Sequence, residues 1–192
     1  DAKKAFDAIH WPFLHNALLR FGFGPGFRGW VELLYRVPVA AVRVNGVMSR
    51  SFRIERGTRQ GCPLAPLLFA LTLEPLACNI RCDPDISGFG MPRGFEGEEK
   101  LSIYADDILL YITKPRDTIP ALLLTMELYR THSGYTTNWD KSVVQWVGCR
   151  DNVDCLPAHL RLAYTGFRYL SIYVTGEPVV SLQRNISPVR RN

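Results

Sequence analysis

The stretch Leu101–Tyr111, LSIYADDILLY, decides how the rest of the chain is read. Two apolar, β-prone runs flank the adjacent aspartates Asp106 and Asp107, the pattern of a tight hairpin with both carboxylates at its tip. Leu101, Ile103, Ile108, Leu109 and Leu110 leave little polar surface, so both strands are expected to be largely covered and the carboxylates drawn toward a dry interior. Burying two like charges side by side is costly unless a cation neutralises them. The competing reading is an ordinary turn, where Asp is common because it hydrogen-bonds its own backbone. The neighbouring segments decide between the two.

Just upstream, residues 83–100 are rich in Gly, Pro and charge and read as a variable loop leading into the hairpin. Before that loop stands RGTRQGCPLAPLLFALTLEPLA, Arg56 to Ala77. Gly57 and Gly61 permit backbone shapes and close approaches that side chains would block, and Gln60 can donate and accept hydrogen bonds. From Pro63 onward the segment is apolar nearly all round, which predicts a helix buried on most sides and kinked at Pro75. A glycine-flanked polar loop heading a buried helix can hold a flat, charged ligand; it can equally be a plain cap.

Further upstream, Val39–Val44 and Val47–Ile54 are β-prone and joined at Asn45-Gly46, a strong hairpin signal, with Phe52 and Ile54 facing one way and Arg53 and Glu55 the other. Arg50, Arg53, Arg56 and Arg59 recur every third residue, either tracking a nucleic-acid backbone or forming a solvated face. Phe27, Trp30, Val31 and Leu34 predict a helix lying on a core, and Leu14, Leu18 and Phe21 predict another over about His10 to Phe21, ended by Gly22. The chain opens DAKKAFD, with Asp1 and Asp7 around a basic, apolar centre. An opening at Asp1, inside a motif, reads as a piece of something longer.

Downstream of the hairpin, Asp117 or Thr118 followed by Pro120 predicts a helix start, with Leu124 and Leu128 on one face and Gly134 as its end. Lys141 follows in GYTTNWDKS, and Val143–Val147 and Phe167–Val174 are expected strands, the latter a hairpin edge. No long helix is expected after Thr175. With 192 residues, 47% hydrophobic and 21% charged, the chain has material for one domain with a real core. Its longest apolar run, Cys62 to Leu73, is too short and proline-rich to span a bilayer, and no secretory signal is present, so an intracellular protein is expected. Five cysteines without a framework of spacings read as reduced thiols, with Cys78, Cys82, Cys149, Cys155 and His159 leaving a zinc site open. A net charge of +5 and a pI near 9.1 suit a partner carrying phosphates.

Taken in order, DAKKAFD, RGTRQGCPLAPLLF, YADD, SGYTTNWDKS and FRYLSIYVT resemble the reverse transcriptase of LINE-type non-LTR retrotransposons, over about Asp1 to Thr175. The resemblance implies an α+β reverse-transcriptase palm, an antiparallel sheet packed on helices, with part of the fingers and without the thumb. It places the domain over residues 1–175 and a tail toward the thumb over 176–192. It implies RNA-templated addition of deoxynucleoside triphosphates to a DNA primer 3′ end, with two Mg²⁺ ions, or Mn²⁺, held by Asp1, Asp106 and Asp107.

By the same resemblance Phe6 blocks a ribose 2′-hydroxyl, although a core Phe would look the same. Arg59, Gln60 and Gly61 lie near nucleotide and template, Lys141 protonates the leaving group unless it is a plain surface lysine, and Asp7 has no metal role. The implied parent is a polyprotein with an endonuclease domain, acting in nucleus and cytoplasm and binding no membrane. Lys3 departs from a usual acidic residue and Ser171 from a usual glycine. As an isolated piece the chain is expected to be inactive. Two alternatives stay open: an intron-encoded or telomerase-like polymerase, and a decayed or adopted remnant that only binds nucleic acid.

Overall fold

The computed structural model describes residues 5–59, 61–91, 96–147, 156–177, 180–181 and 185. Helices α1 (Ala5–Ala8), α2 (Trp11–Arg20), α3 (Pro25–Tyr35), α4 (Ala65–Cys82) and α5 (Pro115–Ser133) supply most of one hydrophobic core. In α2, Pro12 occupies the first turn, where its missing N–H costs nothing, and Gly22 at φ 79° turns the chain away after Phe21. Leu14 and Leu18 are fully buried as expected; Phe21 is exposed.

Helix α4 is the central beam, touching α2, α5 and the first strand of the YADD hairpin. Its buried residues Ala65, Leu68, Phe69, Thr72, Leu73, Leu76, Ala77 and Ile80 recur at three and four, forming one stripe. The expected burial on most sides is therefore corrected: Leu67, Ala70, Cys78 and Asn79 face outward. Apolar composition shows what a helix could bury, and neighbours on one side only limit what it does bury. The helix runs through Pro75 to Cys82. Truncating one of its fully buried leucines to Ala is expected to cost about 2–5 kcal/mol.

Two other helices turn a different face inward from the one the sequence suggests. In α3 only Val31 and Tyr35 are buried, while Trp30 is 70% exposed and Leu34 and Phe27 are exposed as well. In α5, which starts at Pro115, the inward residues are Ile119, Leu122, Met126, Tyr129 and Ser133, and Leu124 and Leu128 face out. Gly134, at φ 79°, ends α5 as expected. Its turn docks on the start of α2: the His10 amide donates to the Ser133 carbonyl at 2.8 Å, and a Cβ on Gly134 would lie 2.5 Å from the Ala8 carbonyl oxygen.

The strands form two-stranded ladders rather than one continuous sheet among the described residues. Strands β1 (Val39–Ala40) with β4 (Phe52–Arg53), and β2 (Arg43–Val44) with β3 (Val47–Met48), make one long ribbon interrupted where Ser49 Oγ accepts from the Val42 amide. Asn45 at φ 49° and Gly46 at φ 85° form its tip, the expected turn. Strands β5 (Phe89–Gly90) and β6 (Glu98–Glu99) pair before the YADD hairpin, β7 (Leu101–Tyr104) and β8 (Asp107–Leu110). Strand β9 (Val143–Val144) pairs in parallel with β10 (Arg161–Leu162), which the sequence does not signal.

Strands β11 (Phe167–Tyr169) and β12 (Ile172–Val174) form the expected last hairpin. Two residues beyond it lie along β12. The Asn185 amide accepts from the Tyr173 N–H at 2.7 Å and donates to the Tyr173 carbonyl at 2.8 Å, while Ser181 Oγ accepts from the Thr175 N–H at 2.9 Å. Val180, Ser181 and Asn185 are helical.

Candidate active site

In the YADD hairpin Leu101 pairs with Leu110, Ile103 with Ile108, and Tyr104 with Asp107. Alternation puts Leu101, Ile103, Ile108 and Leu110 on the face packed against the core. Ser102, Tyr104, Asp107 and Leu109 share the other face, where Ser102 Oγ lies 3.1 Å from the Tyr111 hydroxyl. The two-residue loop is Ala105-Asp106, with Ala105 at φ 53°. Two expectations are corrected. Asp107 begins β8 opposite Tyr104 instead of sharing the tip, and both carboxylates are partly exposed instead of dry, because among the described residues the core covers the face of Leu101, Ile103, Ile108 and Leu110.

Two tyrosines from distant segments approach these carboxylates. Tyr135, just past the Gly134 turn, is 1% exposed; burial above all, and then the neighbouring Tyr129, Asp106 and Asp107, push its hydroxyl well above its ordinary range. Tyr169 on β11 is likewise pushed up, first by burial and then by Tyr111 and Asp107. The GYTT segment and the last hairpin thus each bring a tyrosine within electrostatic reach of the YADD hairpin. Among the described residues neither Asp106 nor Asp107 forms an ion pair. No cluster of three or more His, Cys, Asp or Glu side chains is present among those residues, and Asp1, Cys149 and Cys155 lie outside them.

A second unit forms around Phe6. Its ring stacks on Phe69 of α4, and its carbonyl accepts from the Thr58 amide at 2.5 Å and from Thr58 Oγ1 at 3.3 Å. The Gly57 amide donates to the Ile9 carbonyl at 2.7 Å, and Trp11 Nε1 donates to the Gly57 carbonyl at 2.8 Å. Gly57 sits at φ 88°, and a Cβ there would lie 2.6 Å from Asp7 Cα, so the close approach foreseen for this glycine is real. Gly61, at φ 85°, faces open space, and Arg59 beside it is exposed. Gln60 lies outside the described residues. Lys141 is exposed on the turn Asn138–Ser142, where the Ser142 amide and hydroxyl both donate to the Asn138 carbonyl, and it is not among the groups acting on Tyr135 or Tyr169.

Residues 1–174 match the family description "Reverse transcriptase (RNA-dependent DNA polymerase)". The chain belongs to the reverse transcriptase family. It is 30% identical over 180 residues to the "Transposon TX1 uncharacterized 149 kDa protein" of Xenopus laevis, covering 92% of this chain and 13% of that protein. It is 32% identical over 161 residues to a "Retrovirus-related Pol polyprotein from type-1 retrotransposable element R2" of Popillia japonica, covering 82% of this chain and 21% of the relative. A type-2 R2DM polyprotein of Drosophila melanogaster is 25% identical over 166 residues, 86% of this chain and 15% of the relative. The chain thus spans about an eighth to a fifth of the length of these proteins. These relatives bear out the resemblance to LINE-type, non-LTR retrotransposon reverse transcriptases.

Among the described residues of this reverse transcriptase no helix is long and apolar enough to cross a membrane. Its departure at Ser171 falls at φ 69°, following Leu170 at φ 46°, so a serine occupies a left-handed turn position that glycine fills without strain. Lys3 lies outside the described residues. Phe69, Tyr135 and Tyr169 are the site neighbours that sequence reasoning missed. Phe69 was legible only as one apolar residue among many, and the two tyrosines only as members of their motifs.

Proposed function

We propose that this domain is the palm and part of the fingers of a retrotransposon polymerase that adds deoxynucleoside triphosphates to a DNA primer 3′ end on an RNA template, and that it is inactive as an isolated piece. The observation that carries the reading is the Asp106–Asp107 pair on a hairpin borne by α4, partly exposed and without an ion-pair partner among the described residues. Adjacent carboxylates with no ion-pair partner among the described residues suit a hard divalent ion that takes oxygen ligands and keeps waters. Asp1, Asp106 and Asp107 would hold two Mg²⁺ ions, with Mn²⁺ as a substitute. Such ions, when bound, acidify the primer hydroxyl and take up charge on the leaving pyrophosphate.

The protein's own groups do the positioning. Phe6, braced from behind by Phe69 and fixed at its backbone by Thr58, is the group that excludes a ribose 2′-hydroxyl. Arg59, Gln60 and Gly61 are the residues assigned to nucleotide and template, and the neighbouring Thr58 is tied to α1 through the Phe6 carbonyl. Lys141 is the proton donor to the leaving group. The domain is residues 1–175, residues 176–192 lead on toward a thumb, and the parent protein carries an endonuclease and works on chromatin in the nucleus after synthesis in the cytoplasm. The test is primer extension on an RNA template with Mg²⁺, using the longest reading frame that contains this chain beside its Asp106→Asn variant. Synthesis abolished by the substitution supports the reading; synthesis unaffected by it refutes the metal-ligand assignment.

A further inference from the structure

Three buried residues with polar groups, Thr72 of α4 and Tyr129 and Ser133 of α5, form one chain of hydrogen bonds. The Tyr129 hydroxyl donates to the Thr72 carbonyl at 2.7 Å, and Thr72 Oγ1 donates to the Phe69 carbonyl at 2.7 Å. At the other end Ser133 Oγ donates to the Tyr129 carbonyl at 2.7 Å and accepts from the Tyr135 amide at 3.0 Å. Among the described residues the Tyr129–Thr72 bond is the one hydrogen bond that joins α4 to α5.

Apolar side chains hold two helices together without direction, so they resist separation of α5 from α4 more than sliding. A hydrogen bond demands a narrow range of distance and angle, and a buried hydroxyl that loses its partner carries a desolvation penalty. The bond therefore fixes the register of the two helices. It also falls where α4 is weakest. Pro75 has no N–H to donate four residues back to Leu71, so the turn that holds Thr72 lacks an internal bond, and the Tyr129 hydroxyl adds one from outside.

Both helices converge on Phe6. Its ring rests on Phe69 of α4 with centroids 4.5 Å apart. The chain leaving α1 rests instead on the end of α5, where the His10 amide donates to the Ser133 carbonyl at 2.8 Å and Gly134 abuts the Ala8 carbonyl. A slip of α5 along α4 would shift the anchor of the Phe6 backbone relative to the support of its ring. We propose that Tyr129 is the positioning residue for Phe6: its hydroxyl, by fixing α5 in register with α4, sets the Phe6 ring over Phe69. Tyr129 acts through these two helices from within the core. The functional consequence rests on the reading of Phe6 as the group that excludes a ribose 2′-hydroxyl; the positioning itself is measured without that reading.

The test uses the longest reading frame that contains this chain, with Phe6 alone replaced by para-fluorophenylalanine and read by fluorine NMR without Mg²⁺, nucleotides or template. The ring current of Phe69 makes the resonance a report of how the two rings sit. Tyr129→Phe keeps the ring and loses the hydroxyl, and it should move the resonance. Thr72→Val, which removes the next link, should move it as well and keeps the test decisive if Tyr129→Phe folds poorly. Ile80→Ala opens a cavity at the far end of α4 and loosens the same core, yet should leave the resonance in place. A resonance unmoved in Tyr129→Phe and Thr72→Val, or moved equally in Ile80→Ala, would overturn the proposal.

In primer extension by the unlabelled frame, Tyr129→Phe should lower the ratio of kcat/KM for deoxynucleotides over ribonucleotides by about twofold to tenfold, the span that one neutral hydrogen bond allows. The change should come from a higher value for ribonucleotides, which a general loss of stability would not produce. An unchanged ratio beside a moved resonance would remove Phe6 from sugar selection and leave its positioning intact. A moved resonance in a frame without synthesis would uphold the positioning and count against the polymerase reading alone.

Discussion

Phe6 and Phe69 stack with ring centroids 4.5 Å apart and planes 30° from parallel, joining the short α1 to the central beam α4. Phe69 is buried, whereas Phe6 is half-buried. The inner ring is therefore fixed by the core, and the outer ring takes its position from the inner one. Aromatic stacking contributes about 0.5–1.5 kcal/mol beyond area burial.

If Phe6 discriminates between sugars, its support matters as much as its size. Phe69→Leu is expected to reduce the preference for deoxynucleotides over ribonucleotides by up to about tenfold, the rate equivalent of that stacking energy. Phe6→Ala should reduce it further. The ratio of kcat/KM for the two nucleotide types measures the effect, and a ratio unchanged in Phe69→Leu would show that the stacking does not set the gate.

The two glycines of the loop separate two causes. Gly57→Ala meets both a left-handed φ of 88° and the backbone of Asp7 at 2.6 Å, whereas Gly61→Ala meets only its φ of 85°. Left-handed conformation costs a non-glycine residue about 1–2 kcal/mol. Gly61→Ala should lose that much, and Gly57→Ala clearly more, with α1 displaced. Urea unfolding of the two variants gives the order, and equal losses would mean that the contact with Asp7 relaxes freely.

Ser171 invites the opposite change. At φ 69° it bears the left-handed strain that glycine avoids, and it is exposed, so Ser171→Gly removes the strain without leaving a cavity. A gain of about 1 kcal/mol is expected. A rise in thermal midpoint checks it, and a fall would mean that the serine hydroxyl does more than occupy the turn.

Burial holds the Tyr129 and Tyr135 hydroxyls above the ordinary tyrosine value of 10.0 in the folded chain. Above about pH 10 the unfolded chain gives up these protons while the folded chain keeps them, so rising pH favours unfolding. The stability tied to these groups is fully present below pH 10 and declines above it, by at most about 1.4 kcal/mol per pH unit for each. Urea midpoints between pH 9 and 11 should fall steeply in the wild type and less steeply in Tyr135→Phe. Identical slopes would place the alkaline sensitivity elsewhere.

What could be read from the sequence was what neighbours in the chain decide. The Asn45-Gly46 tip, the Gly134 helix end and the strand-turn-strand form around Asp106 follow from local conformational preference. The inward faces of α3 and α5 did not, because periodicity shows that Leu124 and Leu128 share a face without showing which face meets α4. The hairpin's half-exposure has the same origin: apolar strands need a cover on each side, and only one is supplied among the described residues. The influence of the carboxylates on Tyr135 and Tyr169, and the parallel pairing of Val143–Val144 with Arg161–Leu162, depend on segments far apart in the chain.

The Asn185 side chain meets both backbone polar groups of Tyr173, on the side of β12 turned away from β11. One amide thus imitates a third strand for the length of a single residue. A bare two-stranded ribbon offers its outer rim as a template on which another molecule can zip up, and a rim already engaged cannot recruit one. Asn185→Ala should therefore show itself less in the stability of the monomer than in its tendency to self-associate as concentration rises.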